Sequence, residues 1–206
     1  MNEPLKTGTT NVGIVCSDGI VLAADRRMTM GSFVAGKDMK KIHKITDAMA
    51  VTIAGSVSDI QMLIKLVKAE IALKEMQTNR KIKISESANL MSSLCYNAFR
   101  RAYSIAAFIL GGADDEGFHL INIEPAGSVA VYTDYAVNGS GMLYAVGVLE
   151  AKYKSGMSVK EGVELAKESL NAALQRDTGS GNGMDIWIVD EDGIRVAFET
   201  ETNPGL

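Results

Sequence analysis

The sequence predicts an α+β fold in which two antiparallel sheets lie face to face and a pair of helices covers each outer side. Two observations predict it. Apolar runs of strand length are joined by turn residues, and segments with helical periodicity come in pairs, giving the order strands, two helices, strands, two helices, strands. Helix pairs between antiparallel hairpins favour layers over alternating βαβ units. With 206 residues, 47% of them hydrophobic, the chain suits one domain with a sizeable core.

The first strands form hairpins. Apolar runs at Val12–Cys16 and Ile20–Ala24 flank an Asp-Gly pair, which is a strong signal for a hairpin turn. A second strand pair, Lys41–Thr46 and Met49–Ala54, turns at Asp47. Buried strands of this kind provide a rigid base for the polar residues at their ends.

The first helix pair follows. Apolar residues recur at helical spacing from Ser58 to about Gln77, and lysines lie mostly off that stripe. A second helix is expected after it, with Ser85 or Ser87 as the N-cap residue.

The rest of the chain predicts a meander, a helix pair and a final hairpin. The strand 105–110 is followed by strands 118–123 and 128–133, with turns at 114–117 and 125–127. Gly139-Ser140-Gly141 leads into a helix ending at Tyr153, and a capping box of Ser158 and Glu161 opens the next helix, which ends near Arg176. The last hairpin pairs Met184–Val189 with Ile194–Glu199.

Composition excludes several function classes. A net charge of −4 with mixed signs along the chain argues against a nucleic-acid partner. Cys16 and Cys95 lie in apolar runs without metal-ligand spacing, which indicates two buried thiols and is compatible with a reducing compartment. No apolar run approaches the ~20 residues that span a membrane, and the polar N-terminus lacks a secretory apolar region. We expect a soluble, cytoplasmic protein.

No motif predicts a metal or a nucleotide. The glycine-rich loop 179–183 follows a helix and lacks the Gly-Lys-Ser/Thr ending of a phosphate-binding loop. The acidic turn 114–117 lacks the ligand spacing of a calcium-binding EF-hand. His43 and His119 are isolated in strands.

A series of short motifs follows in order along the chain: Gly8-Thr9-Thr10, Ala24-Asp25-Arg26-Arg27, Lys40-Lys41, Ala54-Gly55-Ser56, Gly139-Ser140-Gly141, Tyr144–Glu150 and Arg176–Gly181. Together they resemble the motifs of archaeal-type proteasome β subunits. The resemblance extends from Thr9 to about Phe198 and implies an N-terminal-nucleophile (Ntn) hydrolase, whose fold is a four-layer αββα sandwich. This agrees with the layers expected from periodicity.

The resemblance implies that the Gly8–Thr9 bond is cut autocatalytically, which divides the chain into a propeptide, 1–8, and a single domain, 9–206. A frayed terminus is the alternative for the first segment. Once freed, the Thr9 α-amine, with a reference pKa of ~7.7–8, can act as general base for its own weakly nucleophilic hydroxyl. Lys41, as a partly buried ammonium, and Asp25, as its partner, complete the implied catalytic set.

A second group of residues is implied around this set. The family pattern assigns the Gly55 backbone N–H to the oxyanion hole. It places Ser140, Asp177 and Ser180 in hydrogen bonds around the Thr9 amine and hydroxyl.

The family pattern also implies a substrate pocket. Met28, Met39 and Ile53 match the family's pocket for the residue before the cut, which would favour apolar side chains there; ordinary core residues are the alternative. Arg27 resembles a structural arginine beside the catalytic set, and Arg26 is expected to be a surface charge.

The implied activity is that of a threonine endopeptidase, the catalytic subunit of a proteasome core particle, which degrades unfolded proteins in a closed chamber without metal or organic cofactor. The implied partners are further copies in a heptameric β ring, stacked α subunits and an ATP-dependent unfoldase. Three alternatives remain: the peptidase of the bacterial two-component protease, which is shorter and hexameric, an inactive ring subunit, and an amidohydrolase of the same superfamily. The presence of Thr9, Asp25 and Lys41 favours an active protease.

Overall fold

A computed structural model of the chain describes residues 8–200, and this region forms four layers in the order helix pair, sheet, sheet, helix pair. One apolar cluster lies between the two sheets, and one lies between each sheet and its helices. The predicted αββα sandwich of antiparallel sheets is confirmed.

The first sheet holds its central strand between packed layers on both faces. Its strands, in spatial order, are β10 (Tyr135–Gly139), β1 (Thr10–Cys16), β2 (Gly19–Asp25), β11 (Met184–Asp190) and β12 (Gly193–Thr200). All seven residues of β2 are buried. Side chains alternate along a strand, so Ile20 and Leu22 face the second sheet while Val21 and Ala23 face the helices.

The second sheet follows chain order. Its strands are β5 (Ile42–Lys44), β6 (Met49–Gly55), β7 (Ala106–Asp114), β8 (Gly117–Ile123) and β9 (Val129–Tyr132). A separate hairpin joins β3 (Met28–Met30) to β4 (Phe33–Gly36). Periodicity predicts neither β3, β4 nor β10, because these are short strands with few buried apolar positions.

Four helices complete the outer layers. They are α1 (Val57–Thr78), α2 (Ile84–Ala102), α3 (Met142–Lys152) and α4 (Val159–Arg176). The first two pack on the second sheet and the last two on the first. The capping box that opens α4 is confirmed, since the Ser158 side chain accepts a hydrogen bond from the Glu161 N–H.

The expected N-cap of α2 is wrong. The N-cap is Lys83, two residues before Ser85 and four before Ser87, so both serines lie inside the helix. Carboxylates satisfy its first N–H groups instead. Glu86 accepts from the Lys83 N–H at 3.1 Å, and Asp114 Oδ2 accepts from the Ile84 N–H at 2.9 Å.

The expectation that Arg26 is a surface charge is also wrong. Its side chain is buried, and its Nε donates to Asp185 Oδ1 at 2.9 Å, with Asp185 buried as well. Lys40 and Glu199 lie at the rim of this pair. The arginine therefore joins the end of β2 to β11, and its charge is compensated inside the protein.

Both cysteines are buried free thiols, as predicted. Burial raises the pKa of Cys16 to about 12 and that of Cys95 to about 11, so neither is a thiolate at neutral pH. Between residues 8 and 200, no helix is both long and apolar enough to cross a membrane.

Candidate active site

Thr9 lies directly before β1, where it is almost completely buried. Its Oγ1 donates to the Gly8 carbonyl oxygen at 2.5 Å and accepts from Lys41 Nζ at 3.0 Å. Its backbone N–H, an amide because the bond to Gly8 is intact, donates to Ser140 Oγ at 3.1 Å. The Thr9 hydroxyl therefore touches both a cation and the carbonyl group that precedes it.

Lys41 lies just before β5 and points its ammonium group into the same site. Three acceptors surround Nζ: Asp25 Oδ1 at 2.7 Å, Thr9 Oγ1 at 3.0 Å and the Gly8 carbonyl at 3.3 Å. An ammonium has three N–H donors, so each can have a partner. Burial lowers the pKa of Lys41, and the attraction of Asp25 opposes that shift.

Asp25, at the end of β2, is completely buried and accepts four hydrogen bonds. Its Oδ1 accepts from Lys41 Nζ and, at 3.0 Å, from the Thr10 N–H. Its Oδ2 accepts from the Arg27 N–H at 3.0 Å and the Gly181 N–H at 2.9 Å. A carboxylate with four hydrogen bonds is fixed in position, and it holds the Lys41 ammonium beside Thr9.

Ser140, Asp177 and Ser180 form a second cluster on the amide side of Thr9. Both serine hydroxyls donate to Asp177 Oδ2 at 2.6 Å. Because Ser140 donates to the carboxylate, its oxygen is free to accept from the Thr9 N–H. Ser180 Oγ also lies 2.7 Å from the Thr10 hydroxyl oxygen.

A cavity of about 670 Å³ lies beside Thr9. The predicted residues Met28, Met39, Ile53 and Gly55 all line it, together with Thr9 and Lys41. Gly55 ends β6 with φ +124°, and a Cβ there would lie 2.1 Å from the Ile105 carbonyl oxygen, so this position requires glycine. Its lack of a side chain also leaves room beside Thr9.

Sequence reasoning missed several neighbours of the site. Thr29 Oγ1 accepts from the Gly8 N–H at 2.7 Å, and Met30 and Tyr103 line the cavity with the first residues of α1. Tyr103 follows α2 with a left-handed φ of 50°. Nothing in its sequence context marks it, because only the tertiary fold brings it to Thr9.

One group of side chains in the described region has ligand atoms close enough to hold a metal ion. Asp114, Glu116 and His119 lie together, but each is already engaged. Asp114 accepts from two backbone N–H groups and contacts His119 Nε2 at 2.8 Å, and the Lys83 ammonium lies 2.5 Å from Glu116. The Lys83 ammonium already supplies a positive charge at this group of side chains, so we assign no metal to it.

Comparison with known proteins gives a consistent result. A family model described as proteasome subunit matches residues 5–189. The chain is 43% identical to the proteasome subunit beta of Methanopyrus kandleri over 202 aligned residues. The aligned region covers 97% of this chain and 95% of the relative. The corresponding proteins of Methanocaldococcus jannaschii and Archaeoglobus fulgidus are 42% and 41% identical over 94% and 93% of this chain, and over 86% and 90% of their own lengths. The chain therefore belongs to the proteasome subunit family, among the archaeal β subunits that it resembles.

Proposed function

We propose that this β subunit is a threonine endopeptidase of a proteasome core particle, with Thr9 as nucleophile and Asp25 and Lys41 as its partners. The observation that carries the proposal is the position of the Lys41 ammonium, which contacts the Thr9 hydroxyl, the Gly8 carbonyl and Asp25 at once. A cation there favours loss of the hydroxyl proton and stabilises negative charge that develops on the attacked carbonyl oxygen.

The first reaction is the release of residues 1–8. The Thr9 oxygen attacks the Gly8 carbonyl carbon, and the hydroxyl proton passes to the Thr9 nitrogen as the peptide C–N bond breaks. The acyl group is then bound to the Thr9 oxygen as an ester. Water then hydrolyses the ester, which releases a segment ending in the Gly8 carboxylate and leaves a free Thr9 amine. The Thr9 hydroxyl is hydrogen-bonded to the carbonyl that it would attack, which supports this step.

The second reaction is cleavage of substrate peptides. The neutral Thr9 amine accepts the hydroxyl proton, directly or through water, and the oxygen attacks the substrate carbonyl while the Gly55 N–H stabilises the oxyanion. The amine leaving group takes the proton, and water hydrolyses the Thr9 ester. Ser140, hydrogen-bonded to Asp177, lies where it can orient the amine.

Gly8 is required by the packing before cleavage. A Cβ on Gly8 would lie 2.1 Å from the Gly179 Cα, and backbone at that distance cannot yield as a flexible side chain can. We therefore expect Gly8→Ala to displace the carbonyl from Thr9 and to slow self-cleavage by about tenfold or more. Intact mass against time after assembly measures this. Processing at the wild-type rate would show that the close contact does not matter.

The cavity supports a preference for apolar side chains before the cut. Three methionines and Ile53 line it, and their flexible or branched apolar groups suit a hydrophobic occupant. We expect fluorogenic peptides with Leu, Phe or Tyr at that position to be cleaved about tenfold faster than those with Glu or Asp. A preference for acidic residues would contradict this assignment. The same panel tests whether the assembled protein is a peptidase at all.

Assembly is part of the proposal. Large apolar side chains are exposed on several elements, including Phe33 on β4, Met76 on α1, Val131 on β9 and Leu143 on α3. Exposed apolar surface on many sides is typical of a subunit that has several neighbours. We propose a heptameric β ring stacked with α subunits in the cytoplasm, supplied with unfolded polypeptide by an ATP-dependent unfoldase.

A further inference from the structure

Three buried asparagines form a hydrogen-bonded chain that leads from the site to Glu124, the residue that follows β8. Asn11 Nδ2 donates to Asn138 Oδ1 at 2.7 Å, and Asn138 Nδ2 donates to Asn122 Oδ1 at 3.2 Å. Asn122 Nδ2 then donates to Glu124 Oε1 at 2.6 Å. All three amides are buried, and the reaction described above uses none of them.

The carboxylate at the far end fixes the direction of this amide chain. Glu124 Oε1 accepts this hydrogen bond, so Asn122 turns its NH₂ towards Glu124 and its oxygen towards Asn138. Asn138 therefore turns its NH₂ towards Asn122 and its oxygen towards Asn11. Asn11 Nδ2 donates one hydrogen to Asn138 and the other to the Ile53 carbonyl oxygen at 3.0 Å. Among residues 8–200, Asn11 Oδ1 has no partner, so the two donated bonds are what the side chain contributes.

The bond from Asn11 to Ile53 crosses between the sheets at the site. Asn11 follows Thr9 by two residues on β1, and Ile53 precedes Gly55 by two residues on β6. The Ile53 N–H also donates to the Lys41 carbonyl oxygen at 3.0 Å. One side-chain amide thus connects the segment that carries the nucleophile to the segments that carry the cation and the oxyanion donor.

We propose that Asn11 is a positioning residue, which sets the separation between Thr9 on one sheet and Gly55 and Lys41 on the other. Apolar contacts between the sheets are non-directional and tolerate small shifts, whereas a hydrogen bond restrains both distance and angle. Thr9 lies directly before β1 and Gly55 ends β6, so the sheets restrain both less than they restrain residues inside a strand. The proposal rests on the function proposed above, because it concerns the geometry of the same reaction.

The test compares Asn11→Leu with Thr52→Val in the full chain assembled with its α subunit. Leu has the same branching and the same number of side-chain heavy atoms as Asn but no hydrogen-bond donor. Thr52 is a matched control: it is completely buried next to Ile53, and its hydroxyl has no partner within the described residues.

We expect Asn11→Leu to lower kcat for an apolar fluorogenic peptide by about tenfold or more, while KM changes less than about threefold. Self-cleavage at Gly8–Thr9, which needs no bound substrate, should slow in parallel, and Thr52→Val should stay within about threefold of wild type.

Several results would overturn the proposal. They are a kcat for Asn11→Leu within about threefold of wild type, a loss confined to KM, or an equal loss in Thr52→Val. If Asn11→Leu does not assemble, Asn11→Ala gives the comparison, since it removes both donated hydrogen bonds without adding bulk or charge. Thr9→Ala, measured alongside, separates a failure of the proposed function from a failure of the role proposed for Asn11. If it hydrolyses peptide as well as wild type, the proposed function fails; if it is inactive while Asn11→Leu is fully active, only the role of Asn11 fails.

Discussion

Thr9→Ala is expected to fold and assemble, to retain residues 1–8, and to lose peptide hydrolysis by about 10⁴-fold or more. In the proposed mechanism the hydroxyl oxygen is the attacking atom, and in the structure it is one of three acceptors of the Lys41 ammonium. Two acceptors, Asp25 and the Gly8 carbonyl, still hold Lys41 in the variant, so the fold should survive. Peptidase assays and intact mass on purified assemblies measure both effects.

Thr9→Ser is the matched control, because it keeps the hydroxyl and removes only the γ-methyl group. We expect it to process itself and to hydrolyse peptides within about a hundredfold of wild type, since rotamer freedom weakens positioning without removing the nucleophile. If Thr9→Ala were as active as Thr9→Ser, another group would have to be the nucleophile.

Replacing Lys41 with Met is expected to reduce kcat by about 10³-fold or more, because it removes the positive charge next to the Thr9 oxygen. The neighbouring Lys40→Met provides the control. Lys40 is half exposed and its ammonium contacts Asp185 and Glu199 instead of Thr9, so its loss should change kcat by less than about threefold. Steady-state kinetics on the two variants gives the comparison.

Lys41→Met also leaves Asp25 buried without its cation, which costs about 3–5 kcal/mol of stability. A double variant, Asp25→Asn with Lys41→Met, removes both charges and should recover much of that stability while it remains inactive. Thermal melting and peptidase assays on the same samples separate the two effects. An active double variant would contradict the assigned role of Lys41.

The sequence alone predicted the layers well, because local patterns encode them. In β2 the alternation of apolar residues on two buried faces is visible without tertiary information, and so is the capping box of Ser158 and Glu161. The local sequence does not predict the N-cap of α2, because the carboxylate that accepts from the Ile84 N–H belongs to Asp114, thirty residues away.

The site residues could be predicted only from the family resemblance, because they lie far apart in the sequence. Thr9 and Lys41 are 32 positions apart, and no local pattern shows that their side chains meet. The prediction that Arg26 is exposed is wrong because its buried partner Asp185 lies 159 positions away. Without that partner in view, an arginine near a strand end is expected at the surface. Asn11 shows the same limit, since its importance appears only when β1 and β6 are brought face to face.

The most direct test of the mechanism is the intact mass of the chain in assemblies that hydrolyse peptide, compared with the chain purified alone. If Thr9 acts through its own α-amine, every active assembly should contain a chain that begins at Thr9, and the loss of residues 1–8 should precede or accompany the gain of activity. Active assemblies in which the chain keeps its Gly8–Thr9 bond would contradict the mechanism, because the amine would still be an amide without basicity.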